Sequence, residues 1–185
     1  MMSTILDPLE SAVQRLPAGA LVDGNPSLQQ YLRFALGSER YAVRIDAVRE
    51  ILEVARMTPL PLMPTFVRGV MNLRGAVVPV IDLGARLGME STRIGRRTCV
   101  VIVDIALAED QGMQRLGMLV DAVYEVIDAA PGELEPVPRL GTRIDPSFIR
   151  SMVRVRGQTT PELDIGTVLD QHTLATLIAE HGARH

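Results

Sequence analysis

The chain predicts an all-β fold of sandwich or small-barrel type, and three observations carry that expectation. Short apolar segments with period-two alternation recur along the sequence, Gly- and Pro-containing turns separate them, and few stretches keep the 3.6-residue period of a helix. The 185 residues are 47% hydrophobic but only 3% aromatic, and Trp is absent. The interior must therefore be assembled from Val, Ile, Leu, Met and Ala, of which Val and Ile favour strands. A chain of this length buries roughly 70% of its unfolded surface, enough for one compact unit or two small packed subdomains.

Taken in order, residues 1–28 contain Pro8, Pro17, Gly19, Gly24 and Pro26, which interrupt every pattern. Leu6, Leu9, Val13 and Leu16 share helical spacing and could form a short docking helix, and the segment reads as a loosely attached arm. Leu32, Phe34 and Leu36 then alternate with Tyr31, Arg33 and Ala35, and Gly37-Ser38-Glu39-Arg40 turns into Tyr41, Val43 and Ile45, which predicts an antiparallel hairpin. Asp46 is placed to cap a short helix over 46–52, in which Val48, Ile51 and Leu52 fall at i, i+3 and i+4. Pro59-Leu60-Pro61-Leu62-Met63-Pro64 has no regular donor ladder and reads as a stiff surface connection.

Between Val70 and Leu83, Gly69 and Gly75 are read as bracketing a turn, Pro79 suggests an edge or bulged strand, and Asp82 can cap a helical turn from Leu83 to Leu87 that stops at Gly88. Two apolar strands follow at 98–105 and 116–127, joined by a loop around Glu109, Asp110 and Gly112 and able to pair. Residues 129–146 read as a long loop and 148–156 as a strand. At the end, Leu174, Leu177, Ile178 and His181 share a helical face that stops at Gly182, which predicts a terminal helix packed on the sheets.

A formal net charge of −3, with scattered arginines, gives no basic field for a phosphate backbone. A nucleic-acid-binding barrel would need exposed aromatics and a basic groove. The first 28 residues lack the basic start and apolar stretch of a signal peptide, and no run has the apolar length of a membrane helix, so a soluble, cytoplasmic protein is expected. The single cysteine, Cys99, lies in an apolar run and reads as an inert core thiol.

No phosphate loop, zinc-type Cys/His spacing or nucleophile elbow is present. All three histidines, His172, His181 and His185, crowd the C-terminal end, leaving the middle of the chain without an imidazole base. An enzyme built on carboxylates alone is the remaining catalytic alternative. Asp104 ends a Val-rich strand in superficial likeness to a receiver-domain phosphoacceptor, but the alternating strands and helices of that fold are missing. Asp104 therefore reads as a surface or loop-capping residue, and Asp121 and Asp128 read the same way. No catalytic residue, metal site or cofactor is expected.

Read in order, Phe34-Ala35-Leu36-Gly37, Tyr41-Ala42-Val43, Val48-Arg49-Glu50-Ile51, Pro64-Thr65-Phe66-Val67-Arg68-Gly69-Val70, Asn72-Leu73-Arg74-Gly75 and Val78-Pro79-Val80-Ile81-Asp82-Leu83 resemble the CheW family of chemotaxis coupling proteins. Leu116-Gly117-Met118-Leu119-Val120-Asp121 resembles a further strand of that family. The resemblance runs over about residues 29–170, between the arm at 1–28 and the terminal helix and tail at 171–185.

The resemblance implies two intertwined five-stranded SH3-like barrels closed by a C-terminal helix. It also implies a non-catalytic adaptor joining the tip of a chemoreceptor to the regulatory domain of a CheA-type histidine kinase. By that likeness Ile45, Val48, Glu50, Ile51 and Val120 line a receptor groove, Phe66, Gly69, Val70 and Met71 face the kinase, and Glu50 and Arg74 form an orienting charged pair. Such a coupler needs two separate patches of moderate size with polar rims. One departure stands out: Gln158-Thr159-Thr160-Pro161-Glu162 occupies the place of the family's last apolar strand, and Pro161 argues there for an edge or a loop. It leaves open whether the array is flagellar or belongs to a paralogous pilus or surface-sensing pathway.

Overall fold

The computed structural model describes residues 28–106, 112–170 and 172. The readings made for the arm, for Glu109 and Asp110, and for the terminal helix at Leu174–Gly182 lie outside the described residues. Among the described residues, eleven strands build two sheets, joined in places by single helical turns. One sheet is ordered β8 (Ala122–Ala129), β1 (Gln29–Leu36), β2 (Glu39–Arg44), β11 (Gln158–Leu163), β10 (Ile149–Val155), β9 (Leu134–Glu135), and the other β3 (Val48–Glu53), β6 (Cys99–Ala106), β7 (Met113–Val120), β5 (Ala76–Asp82), β4 (Val67–Leu73). The first barrel is discontinuous in sequence, because β1 (Gln29–Leu36) and β2 (Glu39–Arg44) pair with strands from the far end of the chain. The second barrel, β3 (Val48–Glu53) to β7 (Met113–Val120), is inserted between them. These are the two intertwined SH3-like barrels, with the two-residue β9 (Leu134–Glu135) as a sixth strand on the first sheet.

The β1–β2 hairpin forms as the alternation predicts, around Gly37 at φ 61°. Leu32, Phe34 and Leu36 face the main core, while Tyr31 packs in the interior of the first barrel. Burial on both faces explains why Tyr31, Arg33 and Ala35 are as sequestered as their apolar neighbours.

The expected helix at 46–52 is not there. Ile45–Ala47 makes one 3-10 turn without a side-chain cap, Asp46 is exposed, and the chain runs on as β3. Opposite β6 (Cys99–Ala106), Val48 faces Val103 and Glu50 faces Ile102, so Arg49 is the extra residue of a bulge. The bulge shifts the alternation by one, and Val48 and Ile51 reach the same core with a helix-like i, i+3 spacing.

Gly69 is also placed differently from the reading. It lies inside β4 (Val67–Leu73), at a bulge against β5 (Ala76–Asp82), and the turn between them is Arg74-Gly75, both at positive φ. Pro79 is in an interior strand rather than an edge. Its partner Val70 directs both backbone groups to Thr58, at 2.8 and 2.9 Å, so the missing Pro79 N–H leaves no ladder bond to β4 unmade. Pairing of β5 with β7 begins only at Val80.

The apolar run 116–127 is two strands in two sheets. β7 ends at Val120 and β8 (Ala122–Ala129) joins the first barrel. Asp121 is the crossover residue: its N–H donates to Ala35 O at 3.0 Å, and its carboxylate accepts from Gly37 N at 2.7 Å. Residues 129–146 include a 3-10 turn at Pro131–Glu133 and β9 rather than loop alone. After β10 (Ile149–Val155), Gln158–Leu163 forms β11, an interior strand. Pro161 is accommodated because ladder pairing with β2 is limited to Glu162 opposite Ala42. The departure at 158–162 is therefore one of composition and not of structure.

Cys99 is buried in the main core, donates to Arg97 O at 3.1 Å, and burial pushes its thiol up to about 11. Iodoacetamide at about pH 8 is expected to leave the folded protein unmodified and to label it fully in guanidinium, because only the thiolate reacts. Rapid labelling of the native protein would contradict this.

Candidate functional site

The residues read as the receptor groove fall in two environments. Ile45, Val48, Ile51 and Val120 are 3%, 7%, 4% and 0% exposed and belong to the main core cluster. As placed, they offer no side chain to an outside helix. Beside the 3-10 turn the surface has a crevice of about 240 Å³ lined by Arg44, Asp46, Ala47, Asp104, Ile105, Arg150, Glu162, Leu163 and Ile165, and none of the four is in its lining. The carboxylate of Glu162 is fully buried there and accepts from Arg44 Nε at 3.1 Å and Ser151 Oγ at 2.6 Å.

Glu50 differs from its apolar neighbours. Its two carboxylate oxygens accept from Nη1 and Nη2 of Arg74, each at 2.7 Å, in a fork-to-fork pair. Strands β3 and β4 are the two outer strands of the second sheet, so the pair spans the seam between them, near the Thr58–Val70 bridge that closes the same seam. The Arg74 hydrogen bonds hold the Glu50 carboxyl below its ordinary range, against a smaller opposing effect of burial. Glu50 and Arg74 are thus brought together, and the pair holds a strand, not a helix, against the turn.

Beside them, Asp104 is clamped by two arginines. Oδ1 accepts from Arg115 Nε at 3.0 Å and Oδ2 from Arg49 Nε at 2.7 Å. These bonds, Arg115's first, keep the Asp104 carboxyl low. Asp104 stands within β6 and does not cap a loop; its carboxylate is engaged by both arginines. The available signal was register, since Arg115 stands directly opposite Asp104 in the β6–β7 pair.

The residues read as facing the kinase also divide. Met71 is interior to the second barrel. Gly69 is buried, and the backbone that approaches it is this chain's own Thr58. Phe66 and Val70 are half-buried and keep accessible surface. The exposed apolar side chains of this region are ones the motif did not single out: Val77 (67%), Leu62 (57%) and Leu60 (37%). Val77 and Pro79 alternate with inward Val78 and Val80, which puts them on the outer face of β5 with Val70 opposite Pro79. The Phe66 ring lies 6.0 Å from the Arg86 guanidinium, which stands 5.0 Å from the Phe148 ring on its other contact.

Underneath this face, Asp82 is fully buried. Its carboxylate accepts from Thr92 N, Thr92 Oγ1, Ala85 N and Arg68 Nη1 at 2.8 to 3.3 Å. It was legible as a cap for the turn Leu83–Arg86 but not as the centre of a network that also holds β4 and the 89–93 loop.

Among the described residues no group of three or more His, Cys, Asp or Glu could hold a metal ion, and no helix is long and apolar enough to cross a membrane. The geometry presents two contrasting surfaces, an apolar outer face on β4–β5 and a charged face over β3, β6 and β7.

The family described as CheW-like domain matches residues 30–173. "Chemotaxis protein CheW" of Rhizobium meliloti is 31% identical over 140 residues, covering 76% of this chain and 86% of that protein. "Chemotaxis protein CheW" of Treponema pallidum is 32% identical over 146 residues, covering 78% and 81%. The crystal structure of the scaffolding protein TtCheW from Thermoanaerobacter tengcongensis superposes with a TM-score of 0.67 at 29% identity, over 76% of this chain and 91% of that one.

Proposed function

This chain belongs to the CheW-like domain family, and on that premise we propose that it is a non-catalytic adaptor coupling chemoreceptors to a CheA-type histidine kinase. It works from the cytoplasm at membrane-anchored receptor arrays, in flagellar chemotaxis or a paralogous pilus or surface-sensing pathway. The observation that carries the reading is the Glu50–Arg74 pair, which fastens the seam of the second barrel between the two candidate faces.

The kinase regulatory domain is assigned to the outer face of β4–β5, where Phe66 and Val70 are joined by Leu60, Leu62 and Val77 as the exposed apolar centre. Gly69 and Met71 contribute by shaping that face from beneath. The receptor tip is assigned to the crevice beside the 3-10 turn, lined by Asp46, Ala47, Ile105 and Leu163 among others, with Glu50 outside its lining and Ile45, Val48, Ile51 and Val120 in the core. An apolar stripe of a receptor helix, bordered by polar groups, is the partner such a crevice suits.

The test is titration of the purified protein with the regulatory domain of a CheA-type kinase from the same organism, and separately with a receptor tip fragment, using Arg74→Glu alongside. Charge reversal sets two carboxylates against each other at the seam, and binding of at least one partner is expected to weaken about a hundredfold. The melting temperature should change little, because an exposed pair contributes little to stability. Unchanged binding of both partners would overturn the role given to the pair, and failure of the unmodified protein to bind either would overturn the adaptor reading.

A further inference from the structure

Two hairpin tips of this molecule are built alike and end differently. Arg74-Gly75 and Arg156-Gly157 both run through positive φ, at 52° and 87° in the first and 55° and 78° in the second. A non-glycine residue in this left-handed region is unusual, and an arginine has no local hydrogen bond to compensate for it. At Arg74 the guanidinium meets Glu50. At Arg156 the side chain is exposed and has no ion-pair or hydrogen-bond partner among the described residues. It lines a cavity of about 540 Å³ at the open end of the first barrel, together with Arg33, Arg40, Glu125, Asp128 and Gln158.

The cavity is charged from within. Arg33 is only 4% exposed, and its Nη1 donates to Glu125 Oε1 at 2.8 Å and to Gln158 Oε1 at 3.0 Å. Its Nε is buried and has no acceptor. Arg40 is held over the Tyr124 ring at 4.5 Å. Both carboxylates of the lining are already engaged, Glu125 with Arg33 and Asp128 with Gln30. Three guanidinium groups face two engaged carboxylates, which leaves positive charge in a concave, polar site. Retaining a buried cation with an unmet donor, and a strained backbone that brings a third arginine to the same place, is the pattern of a site whose missing acceptor arrives from outside.

We propose that this cavity binds a small oxyanion, held by Arg156 and Arg40 at its mouth above the fixed guanidinium of Arg33. Phosphoryl and carboxylate groups both match the planar guanidinium fork. The site shares no lining residue with the crevice assigned to the receptor or with the face assigned to the kinase, so the inference stands or falls separately from the adaptor reading.

Calorimetric titration of the full chain with inorganic phosphate and with citrate, at matched ionic strength, tests it. Saturable one-to-one binding of at least one probe is expected. Phosphate alone would identify a phosphoryl ligand and citrate alone a carboxylate ligand. Arg156→Asn and Arg40→Gln should each weaken binding about tenfold or more, the effect of losing a charge-assisted hydrogen bond. Asn tolerates the left-handed backbone, so Arg156→Asn keeps the turn and its melting temperature should not fall. Absence of saturable binding for both probes, or binding unchanged in both variants, would overturn the proposal.

Discussion

Replacing Gly69 with alanine is expected to destabilise the folded protein by about 2 to 4 kcal/mol. A Cβ at this position would stand 2.4 Å from the carbonyl oxygen of Thr58 and 2.9 Å from its carbon, and φ is 143°. Both contacts are backbone, so no rotamer change relieves them. The methyl must push the 58–59 segment off β4, opening the two Thr58–Val70 hydrogen bonds that close the second barrel. Gly75 supplies the control, because it also has positive φ, 87°, but its Cβ would meet nothing within 4 Å. Gly75→Ala should therefore cost only the left-handed penalty, about 1 kcal/mol. Urea denaturation of the two variants side by side decides the matter. A Gly69→Ala protein as stable as Gly75→Ala would show that the close approach is not a constraint. Because Leu60 and Leu62 follow directly on the displaced segment, weaker kinase binding should accompany the loss of stability.

The contrast between these glycines shows what the sequence could and could not convey. Alternation in 31–45, the apolar run at 98–105 and the Asp82 cap are local patterns, and local patterns are legible. At β3 the same rule misled, because one bulged residue, Arg49, turned a strand's alternation into an i, i+3 spacing that imitates a helix. At 116–127 the apolar run continues across a change of sheet, and the break at Asp121 has a tertiary cause, its bonds to Ala35 and Gly37 on another strand pair. Gly69 read as a turn because the feature that requires it, the Thr58 carbonyl, is contributed by a segment without periodic pattern.

The candidate site divides along the same line. Glu50 and Arg74 came from a family motif and are paired in space. Ile45, Val48, Ile51, Val120 and Met71 belong to the same motif and are core residues, since apolar residues on a strand carry no label saying whether a partner or the chain itself covers them. Arg49, Arg115 and Asp104 become a unit only through cross-strand register, and Val77 and Leu62 matter only because the fold leaves them uncovered.

Asp82→Ala is expected to cost about 3 to 5 kcal/mol, the combined effect of stranding several buried donors at about 1 to 3 kcal/mol each. The carboxylate is fully buried and is the common acceptor for Arg68, Thr92 and Ala85, which come from β4, the 89–93 loop and the helical turn after β5. Removing it leaves the buried Thr92 N–H and hydroxyl without that acceptor and uncaps the turn that carries Arg86. Arg68 can turn to solvent, which places the loss mainly on the desolvated neutral donors. Asp82→Asn keeps the shape and one good acceptor, so it should lose less than Asp82→Ala, and its loss relative to the unmodified protein isolates the ionic part. Arg86 is the contact between Phe66 and Phe148, so loosening its turn should weaken kinase binding in conditions where Asp82→Asn is still folded. Equal stability of Asp82→Ala and the unmodified protein would mean that solvent replaces the carboxylate, and the face around Phe66 would then owe its shape to the Thr58–Val70 closure alone.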